Sequence, residues 1–252
     1  MTVNFEKYDL QRYETAIQSV AKNCTFGIST DEKSDSFFGG LPLVDHDFTW
    51  PTDPGRPLNF VGQLSCSELE TIPVNHGNLL FFYDDRYWEL DPKARGHAVV
   101  IHQSGERLIE QHEVPRTTKR KLFGLIRCTA RTKVYQKTYV DWVSGLSYPS
   151  WQRGEILFDN DDDEDRYVEF YLDRQSDIQV GGFPNPIQTD EMELDCVDAF
   201  AYGAADDWLL LLQLFELGDM NWGDAGALYW FIHKNDLASG RFDRVWMVAQ
   251  SH

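Results

Sequence analysis

Apolar positions fall along this chain in two different rhythms. Near its start, Tyr13, Ile17, Val20, Ala21 and Cys24 recur at helical spacing, with Arg12, Glu14, Gln18 and Lys22 facing away. That pattern predicts an amphipathic helix over about 5–24. Residues 25–38 are polar and unpatterned and read as a loop. Beyond them, short apolar runs bounded by glycine, proline and asparagine predict strands. These runs are Leu58–Leu64, Gly77–Tyr83, residues 97–103, Trp208–Phe215, the stretch from Ala227 to Ile232, and the stretch from Asp243 to Gln250. Gln213 alone interrupts the run Trp208–Phe215, as expected of a strand covered on both faces. Short helical turns are expected after Ser65 and over 235–240, where small polar residues precede the turn.

One pattern occurs twice. Gly39-Gly40-Leu41-Pro42 is followed by a strand containing Gln63 and by Gly77 with a second strand. Gly181-Gly182-Phe183-Pro184 is followed by Gln213 and Gly226 in the same order. The landmarks are offset by 142, 150 and 149 residues. We read this as an internal duplication with unequal insertions, fused as a single domain over 1–252 because no flexible linker intervenes. Its parts are the N-terminal helix, a first half over about 36–110, a charged middle over 111–175 and a second half over 176–250. Together they predict two half-size motifs fused across one shared core.

Composition narrows the function classes. The formal net charge of −18 opposes nucleic-acid binding, which depends on clustered Lys and Arg, and it disfavours an anionic membrane surface. No run of 18 apolar residues occurs, and the first ten residues carry no apolar signal core, so a cytoplasmic protein is expected. Cys24, Cys66, Cys128 and Cys196 are widely spaced and read as reduced core thiols rather than as a zinc site. His97 and His102, five apart on a strand, point to opposite faces and cannot converge on one metal.

Charge is also segregated. Eight Lys or Arg and no acid lie in 114–140, whereas 18 acids against Arg153, Arg166 and Arg174 lie in 141–207. The basic stretch is expected to be a strand-rich surface lying against the acidic one. Asp159, Asp161 and Asp163 imitate the start of a calcium loop, but Glu164 stands where the sharp turn needs glycine, and Phe170 where a bidentate glutamate is required. A solvated loop at 159–165, between strands near 155–158 and 167–172, is the expectation.

Several segments resemble the YwqG-like proteins, a bacterial family of unknown function. The resemblance rests on the first Gly-Gly-X-Pro with Trp50-Pro51, on Gly55 to Leu58 and Gln63-Leu64, on the second Gly-Gly-X-Pro to Gln188, and on Leu210 to Gln213. It continues through Trp222-Gly223-Asp224-Ala225-Gly226 with Tyr229, and Asp236-Leu237 with Phe242. It spans roughly 35–250 and implies an α+β fold of two similar β-rich halves, mostly antiparallel, with no established activity.

No nucleophile elbow, phosphate loop or zinc-protease motif occurs, and neither a catalytic set nor a cofactor or metal is predicted. The expected function is a non-enzymatic module binding a basic protein or a small polar ligand. The alternative is an enzyme or sensor with a cleft between the halves. Gln63 and Gln213 can be read as hydrogen-bonding the Gly-Gly-X-Pro turns. They can also be read, with Trp50, Arg56, Gln188, Trp222 and Asp224, as lining a ligand cleft.

Overall fold

A computed structural model describes residues 3–53, 56–85, 97–105, 108–111, 113–121 and 126–252, and only the backbone of 110, 116–121 and 126–131. Pro54 and Gly55 of the proline-rich turn, His112, and the side chain of Cys128 lie outside the described residues.

Among the described residues, ten strands form the main sheet: β1 (Lys22–Thr30), β2 (Phe37–Phe38), β3 (Asn59–Ser65), β4 (Asn78–Tyr83), β5 (Ala98–Gln103), β6 (Thr138–Ser147), β7 (Ile178–Val180), β8 (Trp208–Phe215), β9 (Ala227–His233) and β10 (Val245–Gln250). Their order is β10-β9-β8-β7-β1-β6-β2-β3-β4-β5, and every neighbouring pair is antiparallel. The order is palindromic about the central pair β1 and β6. On one side β2 to β5 follow in sequence, and on the other side β7 to β10 do. Both arms carry a bulge two residues before their glutamine, where the register skips between Phe60 and Gly62 and between Leu210 and Leu212. A bulge bends and twists its strand, and here the bends help to curl the sheet.

The curled sheet encloses one core. Val61, Leu79, Phe81 and Val100 from one arm share it with Leu212, Leu228, Trp230 and Met247 from the other. Phe81 and Trp230 meet edge to face at 5.4 Å across the interior. The outer faces are covered separately. α3 (Met192–Phe200) lies over Trp208, Tyr229, Phe231 and Trp246, while the chain from Leu41 to Leu58 lies over Phe37, Phe60, Leu80 and Phe82.

Three expectations need correction. The predicted N-terminal helix is two 3-10 turns, Phe5–Tyr8 and Gln11–Tyr13, followed by a short α1 (Glu14–Val20). Within the expected loop at 25–38, residues 25–30 belong to β1, at the centre of the sheet, and Phe37–Phe38 form β2. Cys24, Phe26 and Ile28 alternate there with Thr25, Gly27 and Ser29, and the inward position of Gly27 must be small: a Cβ there would meet Ile178 at 2.6 Å and Val140 at 2.9 Å. The acidic stretch is not a loop between strands but the start of α2 (Asp161–Leu172). Asn160 caps it by accepting from Asp163 N, and four acids occupy the first turn, where the helix dipole favours negative charge. Asp163 is fully buried, accepts from Tyr13 Oη at 2.9 Å and pairs with Arg12 and Arg166. The basic stretch does form strands, as a ribbon pairing Arg116–Lys121 with Ile126–Arg131. That ribbon neighbours the short strand Arg56–Pro57, whereas α2 packs on the N-terminal turn.

Cys24, Cys66 and Cys196 are buried free thiols. Burial pushes Cys24 up to about 12, Cys66 up to about 11, and Cys196 further still. Because the thiolate is the reactive form, all three are expected to resist iodoacetamide at pH 8 and to react once guanidinium unfolds the chain. Peptide mapping by mass spectrometry reads this directly, and rapid native labelling of any of the three contradicts it.

Candidate functional site

A ten-stranded open sheet has two edges, and the curl brings these two together. Among the described residues β5 pairs only with β4, and β10 only with β9, yet the two edge strands approach one another. Nine antiparallel steps separate them, so they run in opposite directions. Among the described residues, no backbone hydrogen bond crosses from one edge to the other. Between them lies a groove of about 860 Å³, with walls that include Val99, Ile101, Phe200, Phe242, Val245 and Trp246.

Two polar constellations frame it. At one end His97 Nδ1 lies 2.6 Å from Asp53 Oδ2, with both side chains largely buried. On the opposite wall the turn Phe242–Arg244 is held by an ionic cluster around the buried Asp236. Asp236 is inaccessible and faces both Arg241 and Arg244, the latter with Nε at 3.2 Å. These contacts are ionic, because neither carboxylate oxygen meets hydrogen-bond geometry. The Arg244 guanidinium also lies over the rings of Phe200 and Tyr202. Its charge is thereby neutralised within the wall, while Asp243 projects into solvent. The described lining contains no Ser, Thr, Cys or Lys that could serve as a nucleophile. Among the described residues no group of three or more His, Cys, Asp or Glu could hold a metal.

None of the seven residues singled out in the sequence lines this groove. Gln63 is fully buried. Its Oε1 accepts from Leu43 N at 2.9 Å, and its Nε2 donates to Asp35 O at 3.3 Å. Gln213 does the same in the other arm, accepting from Asn185 N at 2.7 Å and donating to Ser176 O at 2.6 Å. Each glutamine thus clamps the segment that follows its Gly-Gly-X-Pro turn. Trp50 is buried and donates to Leu58 O, and Arg56 faces Asp85 at 3.8 Å. Trp222 packs on Tyr83 and Tyr135 within the enclosed core. Gln188 and Asp224 are exposed, and Asp224 contributes its carbonyl to His252 N.

The sequence reading missed a second pair of clamps on the edge strands themselves. Gln103 Oε1 accepts from Asp45 N, and Gln250 Oε1 accepts from Ile187 N and Gln188 N. Their signal was present, since both are polar residues ending an apolar strand in corresponding arms, but a terminal glutamine reads as an ordinary exposed boundary.

A search of curated proteins finds no match to the chain. Residues 36–251 match the family model of a domain of unknown function, DUF1963. That match takes in all the main-sheet strands except β1, both Gly-Gly-X-Pro turns and both edges of the groove, and the chain belongs to the DUF1963 family.

Proposed function

We propose that this chain is a non-enzymatic binding module whose site is the groove between β5 and β10, and that its partner is a basic protein or a ligand able to use exposed strand edges. The observation that carries the reading is the confrontation of two unpaired edges across an apolar groove. Unpaired edges are templates for association, and the described lining holds no Ser, Thr, Cys or Lys. Within the reading, the two arms descend from an internal duplication and form a single domain, as the palindromic strand order and the paired glutamine clamps support. Membership of a YwqG-like group within the family rests on the quoted motifs. A cytoplasmic setting is supported by three buried free thiols; among the described residues no helix is long and apolar enough to cross a membrane.

The test is recovery from native lysate followed by native mass spectrometry of three proteins: the wild type, Asp243→Lys at the groove, and Glu32→Lys at an exposed site outside it. A stoichiometric partner or ligand should remain with the wild type and with Glu32→Lys and be lost from Asp243→Lys. A wild type that retains nothing, or equal retention by Asp243→Lys, removes the proposal. The alternative, an enzyme or small-molecule sensor, draws its support from the His97–Asp53 pair at the groove's end. In such a pair the carboxylate orients the imidazole as a base.

A further inference from the structure

We infer that a second site of this chain, a cavity beside the Gly181-Gly182 turn, binds a short apolar peptide through its free ammonium and carboxylate ends. The inference is independent of the groove between β5 and β10, because the two share no lining residue.

The cavity follows from where β7 stops. β7 is three residues long and separates β1 from β8, both of which run on past its end. Gly181 and Gly182 hold φ of 73° and 72°, a conformation open chiefly to glycine, and they turn the chain out of the sheet after Val180. Where β7 lies between them, β1 and β8 stand two strand spacings apart, about 9.5 Å. Past Val180 a cavity of about 520 Å³ opens between residues 22–24 of β1 and 208–211 of β8, a usual size for a small-ligand site.

In the first arm the corresponding space is filled by the chain itself. Gly40 N–H donates to Tyr135 O at 2.9 Å, and a Cβ on Gly39 would strike Gln136 O at 2.2 Å. In the second arm the corresponding donor, Gly182 N–H, has no hydrogen-bond partner among the described residues, and Gly182 lines the cavity. The copies of one turn thus differ: the first is closed on itself and the second keeps a donor unused.

Charge and apolar surface specify the ligand. Lys22, whose Nζ lies over the Phe183 ring at 3.9 Å, has no ion-pair partner among the described residues. Glu70 Oε2 accepts from Ser144 Oγ at 2.8 Å and likewise forms no ion pair among them. The remaining charged residue of the wall, Glu193, is already matched by Arg153 at 2.8 Å. Ser144 pairs with Thr25, three residues along β1 from Lys22, so the cationic and anionic ends of the cavity lie about 10 Å apart. The wall between them is apolar. Ile72, Val180 and Leu211 are buried, but Leu209 is 38% exposed although the five residues after it are buried.

An inorganic anion would use Lys22 and Gly182 N–H but leave Glu70 opposed. An α-amino acid carries both charges on one carbon and cannot meet both ends, whereas three extended residues span about 10 Å. The carboxylate is therefore assigned to Lys22 and Gly182 N–H, the ammonium to Glu70, and the apolar side chains to Leu209 and Ile72.

Isothermal titration calorimetry with the tripeptide Ala-Val-Ala, its N-acetylated form, its C-amidated form and free valine tests the inference. The free tripeptide should bind at least about tenfold more tightly than each of the others, which lack one charged contact or the reach to make both. Lys22→Gln and Glu70→Gln, both at exposed side chains, should each weaken it by about tenfold with Tm unchanged. Lys22→Gln should leave the affinity of the C-amidated form unaltered, and Glu70→Gln that of the N-acetylated form. Asp243→Lys at the groove should alter none of them. No binding of the free tripeptide, equal affinity for free and blocked forms, or binding indifferent to both Lys22→Gln and Glu70→Gln overturns the inference. Valine binding as tightly as the tripeptide overturns the span between the two ends, and with it the peptide. Loss of binding in Asp243→Lys alone also overturns it, by moving the peptide to the groove.

Discussion

Replacing Gln213 by leucine is expected to lower the unfolding free energy by roughly 2–6 kcal/mol. The side chain is wholly inaccessible and serves two backbone groups, Asn185 N at 2.7 Å and Ser176 O at 2.6 Å. Leucine is similar in size and fills the space, so the loss comes from stranding those two groups. Each buried unsatisfied polar group costs about 1–3 kcal/mol. Urea denaturation measures the change. Gln63→Leu should give a smaller loss, because Asp35 is exposed and its carbonyl can turn to water, whereas Gln188→Ala, at an exposed side chain, should change stability by less than about 0.5 kcal/mol. A Gln213→Leu protein of wild-type stability that had lost ligand-induced stabilisation would reverse the assignment and make this residue part of a binding site.

The second large effect is expected at Trp230. Trp230→Ala should cost about 3–5 kcal/mol, the range for truncating a buried large aromatic residue. Its ring contacts Phe81 from the other arm, and it is inaccessible to solvent. The position makes a second measurement informative. Because Phe81 and Trp230 join residues brought by opposite arms of the sheet, the loss should be shared by both arms. Amide exchange should therefore accelerate in β4 and β5 as well as in β9 and β10. Acceleration confined to β9 and β10 would mean that the arms are energetically separate despite the shared core.

What was legible in the sequence followed from local rules. The runs around Gln63, Tyr83, Gln213 and Ile232 were read as strands because their apolar content and glycine boundaries are local properties. The glutamines could be singled out because an amide inside an apolar run must find a partner somewhere. Their role as clamps on the Gly-Gly-X-Pro turns was one of two readings, and the distances to Leu43 N and Asn185 N favour it. The failures were also physical. β1 turns the small residues Thr25 and Gly27 toward the core, where a larger side chain at 27 would collide with Ile178 and Val140, and leaves Ile28 exposed, so its short alternation does not look like that of a central strand. The acids at 161–164 read as a solvated loop because only their position in a first turn, capped by Asn160, makes them favourable.

The groove was not legible at all. Val99, Ile101, Val245 and Trp246 are ordinary strand residues, and nothing in 97–103 or 245–250 marks either segment as an edge. The sequence by itself determined the strands around Gln63, Tyr83, Ile101, Gln213, Ile232 and Met247, the recurrence of one strand pattern in two arms, and the strongly acidic character. It could do so because propensity, periodicity and charge are read from neighbours along the chain. Only the tertiary structure decided that β1 and β6 join the arms, that the sheet curls far enough for β5 to face β10, and that Arg244 is neutralised while Asp243 is not. Those are relations between residues far apart in sequence, fixed by strand pairing and by the bulges that bend the sheet.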